Sequence, residues 1–282
     1  MSGPLLVTGA GGLLGGALAA LPGAVGLRRA ELDITDGGAL NAALDQHRPA
    51  AVVNAAAFAR VDAAEQAPAE AQAVNAAAPA ALALACQRRG IRCVHISTDY
   101  VLRGLAVPGH LLDERAPLDP VGVYAQTKAE GEAAVLAAGG VVLRVQWLYA
   151  TQGTSFFARA LARLRAGELL RLVPDQVGCP TPAALLAGWI GRVAEGGPTG
   201  LFHLATTGEV SPVGWLGAAA AALALPLRWE PLPRAAIGPV PRPARSCLDG
   251  GLARATFGLP AVAWDDALRA ALRDEAPVER PS

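Results

Sequence analysis

Gly9, Gly12 and Gly15 follow an apolar run at residues 4–8 and open an Ala/Leu-rich segment that reaches about Leu21. A strand that feeds a glycine turn and then a helix leaves few folds open. Glycine allows the tight turn and lets backbone N–H groups approach an anion at the helix start, with Leu13 and Leu14 inside the turn. The spacing is GxxGxxG, because Leu14 stands where GxGxxG would need glycine. This arrangement predicts a dinucleotide pyrophosphate at the turn.

The chain continues as alternating strands and helices. A second strand, Ala24–Leu27, ends at Arg28-Arg29. An acidic residue there would bond the ribose of NAD, whereas arginine accepts the 2′-phosphate of NADP, so Arg28 points to NADPH with NADH as the alternative. A short third strand is expected within Glu31–Asp36. Asp33, next to Ile34, is either a partner for the adenine amino group or a turn or cap residue. A helix through Leu40–Leu44 leads to the strand Ala51–Val53 and then Asn54-Ala55-Ala56-Ala57, small residues that let a cofactor lie against the backbone. Helices are expected over 68–78, 79–89 and 122–138, and strands over 93–98 and 141–148. The pattern predicts an α/β fold, a doubly wound parallel (Rossmann) sheet over residues 1–150. Residues 151–282 form a smaller C-terminal α/β substrate region with segments returning to the Rossmann core. Helices are expected there over 155–165, 182–194, 213–223 and 264–272, and strands over 169–173 and 201–205. Thr181 suits the N-cap of the helix from Pro182. Prolines 231, 233, 239, 241 and 243 mark an extended loop, and 276–282 a frayed tail.

Chemistry concentrates between His95 and Lys128. Tyr124 and Lys128, four apart, share a helix face. A phenol ordinarily titrates near 10, and a lysine charge beside it is expected to bring that value down for proton transfer. Thr98, at the end of the preceding strand, can polarise a carbonyl held against the phenol.

Composition limits the alternatives. Lys plus Arg and Asp plus Glu are 24 each, which argues against a nucleic-acid or acidic-membrane binder. The four cysteines are far apart with no CxxC pair, and no His/Cys set has metal-ligand spacing. No signal peptide or membrane-spanning run is apparent, so a cytoplasmic protein without a metal is expected.

Taken together, Thr8-Gly9-xx-Gly12-xx-Gly15, Val53-Asn54-Ala55-Ala56-Ala57, Val61-Asp62-xx-Glu65, Val74-Asn75, Ser97-Thr98-Asp99-Tyr100-Val101, Tyr124-xxx-Lys128, Leu143-Arg144-xx-Trp147-x-Tyr149, Asp175-Gln176-x-Gly178-x-Pro180-Thr181 and Arg242-Pro243-xx-Ser246-x-Leu248-Asp249 resemble the dTDP-4-dehydrorhamnose reductase family of the extended short-chain dehydrogenase/reductases. The resemblance implies catalysis by Thr98, Tyr124 and Lys128. Lys128 holds the nicotinamide ribose and Tyr124 protonates a 4-keto oxygen. Asp99 and Trp147 contact the sugar, and Gln176, Thr181 and Arg242 line the nucleotide pocket. It also implies a monomer or homodimer acting on a small nucleotide sugar. Ala17 stands where some members carry a magnesium-holding glutamate, Phe58 where a hydroxyl residue is common, and Gly122 where asparagine is frequent. Two similar classes remain as rivals: an NADP-binding regulatory subunit like that of methionine adenosyltransferase, and a sugar-nucleotide epimerase.

Overall fold

The computed structural model describes residues 3–102, 104, 107 and 109–274. The expected frayed tail at 276–282 lies outside them. The first half runs β1 (Leu5–Thr8), α1 (Leu13–Ala19), β2 (Ala24–Leu27), α2 (Gly37–His47), β3 (Ala51–Asn54), α3 (Val61–Ala64), α4 (Pro68–Gln72), α5 (Ala78–Arg89), β4 (Arg92–Thr98), α6 (Gly122–Ala137) and β5 (Val141–Val145). The second runs β6 (Leu148–Tyr149), α7 (Phe156–Arg165), β7 (Leu170–Leu172), β8 (Thr181–Pro182), α8 (Ala183–Glu195), β9 (Gly200–Leu204), α9 (Pro212–Ala222), β10 (Trp229–Pro231), α10 (Gly251–Phe257) and α11 (Trp264–Arg273).

The main sheet is parallel in the order β2-β1-β3-β4-β5-β9. Strand order reverses between β1 and β3, and the carboxyl ends there, Thr8 and Asn54, are register partners. Such a reversal opens a crevice for a ligand. Alternate strand residues serve opposite faces. Val7, Val53, Val94 and Leu143 pack against α1, α8 and α10, while Leu6, Val52, Cys93 and Val142 pack against α2, α5 and α6. The sixth strand, β9, comes from beyond residue 200 and closes on β5. A separate core of Tyr149, Phe157, Leu161, Leu172, Trp215 and Leu268 supports the second half.

Two local expectations are corrected. Glu31–Asp36 forms turns and adds no strand to the sheet. Asp33 Oδ1 accepts from the Thr35 amide and hydroxyl, and Asp36 caps α2 through the Gly38 and Ala39 amides. Aspartates that satisfy local amides this way compete with strand pairing. Thr181 does not cap α8. It pairs with Leu148 in β8, donates to Cys179 O (3.2 Å) and accepts from Thr206 N. Pro182, one residue outside α8, is the N-cap and supplies no side-chain hydrogen bond.

Candidate active site

The glycine turn is shaped for close backbone approach. A Cβ at Gly15 would lie 2.1 Å from Gly9 O, and one at Gly9 would lie 2.6 Å from Ala56 N. The turn and the end of β3 therefore touch with no room for side chains. Beside them is a cavity of about 220 Å³ lined by Gly9, Gly11, Gly12, Arg29, Leu32, Asp33, Ile34, Ala55, Ala56, Ala57 and Val74. Small walls and exposed backbone amides fit a dinucleotide. Leu14 is buried in the core, so only its backbone faces the turn. Arg29 is tied to Asp33 and Glu70. Arg28 is exposed beside Gly11 and forms no ion pair among the described residues. Asp33 stays below the usual carboxylate range because of its bonds to Thr35, with the Arg29 charge acting the same way.

A second cavity, about 450 Å³, opens where the two halves meet. Trp147, Gln176 and Arg242 line it together with Tyr100, Phe156, Arg171 and Trp215. Gln176 donates to Pro243 O, and Arg242 donates to Asp62 Oδ2 at 2.5 Å. A Cβ at Gly178 would sit 2.5 Å from the Trp147 indole, which explains the glycine in the Asp-Gln-x-Gly run. Trp215 Nε1 is buried with no hydrogen-bond partner among the described residues. An aromatic pocket with few fixed polar groups suits a nucleobase. Thr181 is fully buried beneath this cavity and does not line it.

Thr98, Tyr124 and Lys128 line neither cavity among the described residues, but Tyr100 of the second cavity is the neighbour of Tyr124. The Tyr124 ring meets Tyr100 edge-on at 5.8 Å. Thr98 lies beside the phenol and pulls its pKa down, and the Thr98 hydroxyl is 3.3 Å from Asp99 Oδ1. Lys128, one helical turn past Tyr124, is buried with Nζ 2.6 Å from Ile96 O and 3.1 Å from His95 Nε2. The α6 helix that carries both begins at Gly122, φ +81°, where a Cβ would also lie 2.7 Å from Glu65 Oε1.

Two expectations are overturned here. Tyr124 is pushed up to about 12, by burial first and by the Asp99 charge, while Thr98 works in the opposite sense. Lys128 is not among the causes of the Tyr124 shift: its Nζ lies against Ile96 O and His95 Nε2, and burial brings Lys128 itself down to about 8. Asp99 does not face the cleft. It lies buried beneath Thr98 and accepts from Ser246 Oγ, and burial raises it to about 6 despite that bond. Ser246, expected with the Arg242 segment to line the nucleotide pocket, is buried on Asp99 instead, and His95, which carried no assigned role in the sequence, meets Lys128; each contact is distant in the chain.

The profile of the RmlD substrate binding domain family matches residues 3–276. The chain belongs to this family. It is 39% identical to the dTDP-4-dehydrorhamnose reductase of Streptomyces griseus over 96% of this chain and 92% of that one. It is 38% identical to the dTDP-4-keto-6-deoxy-D-glucose reductase of Streptomyces niveus over 73% and 74%. The Bacillus anthracis dTDP-4-dehydrorhamnose reductase in complex with NADP superposes with a TM-score of 0.91 at 26% identity, covering 98% of this chain and all of that one. Thermus thermophilus UDP-glucose 4-epimerase shares the fold alone, with a TM-score of 0.79 at 21% identity.

Proposed function

We propose that this protein is an NAD(P)H-dependent oxidoreductase that reduces the 4-keto group of a dTDP-4-dehydro-6-deoxy-L-hexose, converting dTDP-4-dehydrorhamnose to dTDP-L-rhamnose. The observation that carries the reading is Tyr124 beside Thr98 with Lys128 one turn along α6, in a chain that also has a small-walled cavity at the glycine turn and an aromatic pocket lined by Tyr100, the edge-on neighbour of Tyr124. The relatives from Streptomyces griseus, Streptomyces niveus and Bacillus anthracis are named as reductases of this substrate class.

Bound NADPH supplies the hydride. Gly9, Gly12, Leu13, Leu14, Gly15 and Ala55–Ala57 hold the cofactor by backbone and small walls, with Asp33 and Ile34 at the adenine end and Arg28 toward a 2′-phosphate. Tyr124 carries its proton throughout the neutral range because its pKa is raised. It is therefore a loaded acid that releases the proton only as negative charge develops on the ketone oxygen. Thr98 hydrogen-bonds that oxygen. Asp99 orients Thr98 from below, and Ser246 holds Asp99. Trp147 and Gln176 flank the sugar nucleotide. Arg242 offers its remaining donors to a diphosphate, its orientation set by Asp62.

No helix among the described residues is long and apolar enough to cross a membrane. A cytoplasmic monomer or homodimer belongs to the same proposal.

The test is NADPH oxidation on adding dTDP-4-keto-6-deoxy-L-mannose, with the D-glucose-configured ketone alongside because of the Streptomyces niveus relative. Substrate-dependent oxidation that drops by at least ~100-fold in Tyr124→Phe is expected for a lost general acid. Cofactor binding without turnover would favour the regulatory-subunit reading. Epimerisation without net cofactor consumption would favour the epimerase.

A further inference from the structure

Three polar side chains cross the sheet in one row beneath Lys128. Thr8 pairs with Asn54, and Asn54 with His95, across β1, β3 and β4. On the same face, two residues earlier in each strand, stand Leu6, Val52 and Cys93, all core. None of the three polar residues is more than 1% exposed. Polar groups set this deep are costly unless every hydrogen bond is made.

The bonds have an order. Asn54 Oδ1 accepts from Thr8 Oγ1 at 2.7 Å and from Ala56 N at 3.2 Å. The Ala56 amide can only donate, so it fixes which end of the Asn54 amide is the oxygen. Asn54 Nδ2, 3.1 Å from His95 Nδ1, is then the donor to that ring nitrogen. A neutral His95 therefore carries its hydrogen on Nε2, facing Lys128 Nζ at 3.1 Å. Burial, and then the Lys128 charge, hold His95 well below its ordinary value, so the ring stays neutral. An ammonium has no lone pair to accept Nε2–H. An uncharged amine accepts it and still donates to Ile96 O at 2.6 Å.

We propose that His95 is a positioning residue which, held in one tautomer by Asn54, biases Lys128 toward the uncharged amine, so that binding of the anionic dinucleotide is accompanied by proton uptake at Lys128. The proton comes from solvent and forms one N–H bond on Nζ. Burial acts in the same direction, bringing Lys128 down to about 8. The other charged and titratable groups around this point are few. Glu132, next along α6, opposes the bias, but Arg144 of β5 pairs with it at 2.7 Å. Tyr124 and Asp99 face each other at the end of β4. The inference rests on the cofactor assignment made under Proposed function and on the place of Lys128 at the nicotinamide ribose that the family resemblance implies.

Calorimetric titration of NADH and NADPH into the full-length protein, in buffers of different ionisation heat near ~pH 8, counts protons directly and requires no sugar; NADH keeps the 2′-phosphate out of the count. The wild type is expected to take up a measurable fraction of a proton, and Lys128→Met none. Asn54→Asp turns every acceptor toward Thr8, Ala56 and His95, reverses the tautomer and admits the ammonium. His95→Gln offers an amide oxygen to Nζ. Both are expected to lose the uptake and to move the alkaline fall in cofactor affinity up by about one pH unit, the worth of one hydrogen bond. Absence of uptake in the wild type, its persistence in Lys128→Met, or an unchanged proton count in both other variants overturns the proposal. Lower thermal stability with an unchanged count marks a purely structural row and overturns it too. A protein that oxidises NADPH on substrate yet binds cofactor without uptake refutes this inference alone. Uptake without turnover refutes the reductase reading and leaves this one standing.

Discussion

Asp99 is a buried carboxyl whose charge is felt by the Tyr124 phenol, and its ionisation is set by what surrounds it. Burial raises it from 3.8 to about 6, while Ser246 and Thr98 pull it back by hydrogen bonding. A folded-state value above the unfolded one means the native protein binds the extra proton between those two pH values. Asp99 thus contributes stability below 3.8 that is lost as pH rises through about 6. Asp99→Asn keeps an acceptor for Ser246 and has no charge to bury. In urea unfolding, the variant should gain on the wild type by about 3 kcal/mol between ~pH 4 and ~pH 8. A difference that stays flat across that range would show that Asp99 ionises freely in the folded state. None of this was legible in Ser97-Thr98-Asp99-Tyr100. The run announces hydroxyl and carboxylate chemistry, but Ser246, which anchors Asp99, is 147 residues away. The same applies to Lys128. Its spacing from Tyr124 was readable, whereas its bonds to His95 and Ile96 depend on how α6 lies across β4.

The element that matters most to the chemistry is α6, and its start is secured from outside. Glu65, just beyond α3, accepts from Val123 N at 2.6 Å, one residue before Tyr124. Val121, at the cap position itself, supplies no side-chain bond. Glu65 therefore does the work that Ser or Asp does at an ordinary N-cap, with a charge that also complements the helix dipole. Glu65→Ala should cost about 1–2 kcal/mol in unfolding free energy and lower kcat more than it raises KM, because it loosens the turn that aims the phenol. Glu65→Gln should restore most of both. If Glu65→Ala leaves kcat untouched while stability falls, the cap only holds the fold. The extent of α6 was legible from its composition, but its cap was not, because the capping group precedes it by 58 residues. A related surprise lies between α4 and α5. Two separate helices were expected, yet a π turn at Ala73–Ala77 joins them without a break. It places Asn75 to bond both the amide and the carbonyl of Phe58, and to donate to Thr127 of α6. Such a turn has no local sequence signature and forms where packing rewards it.

At the scale of the whole molecule, a buried ion pair within the first half, Glu132 with Arg144, is extended to the second half through His203. Glu132 of α6 receives Nε and Nη2 of Arg144 on β5, at 2.9 and 2.7 Å, and both side chains are 3% exposed. Arg144 Nη1 also reaches His203 Nε2 on β9, and His203 Nδ1 lies 2.9 Å from Leu112 O. Burial, then the Arg144 charge, bring His203 down to about 4, so the link stays neutral across the working range. The helix that carries Tyr124 and Lys128 is thus fastened to strands from either side of residue 150. Alternation of strands and helices made the parallel sheet legible. The residues of β9 also read as a strand, but nothing local marks a parallel strand's neighbour, so its place beside β5 emerged only in three dimensions. Desolvating two charges offsets much of their attraction, so this pair should matter more when broken than when replaced. Glu132→Ala leaves Arg144 buried without a counter-charge and should cost about 3–5 kcal/mol in urea unfolding. Joint replacement by Glu132→Leu and Arg144→Met fills the space without charge and should recover most of that loss. Cofactor affinity in the double variant then separates two roles. If it returns with stability, the pair serves only to anchor α6. If stability returns and affinity does not, the Glu132 charge that opposes deprotonation of Lys128 is needed at the site itself.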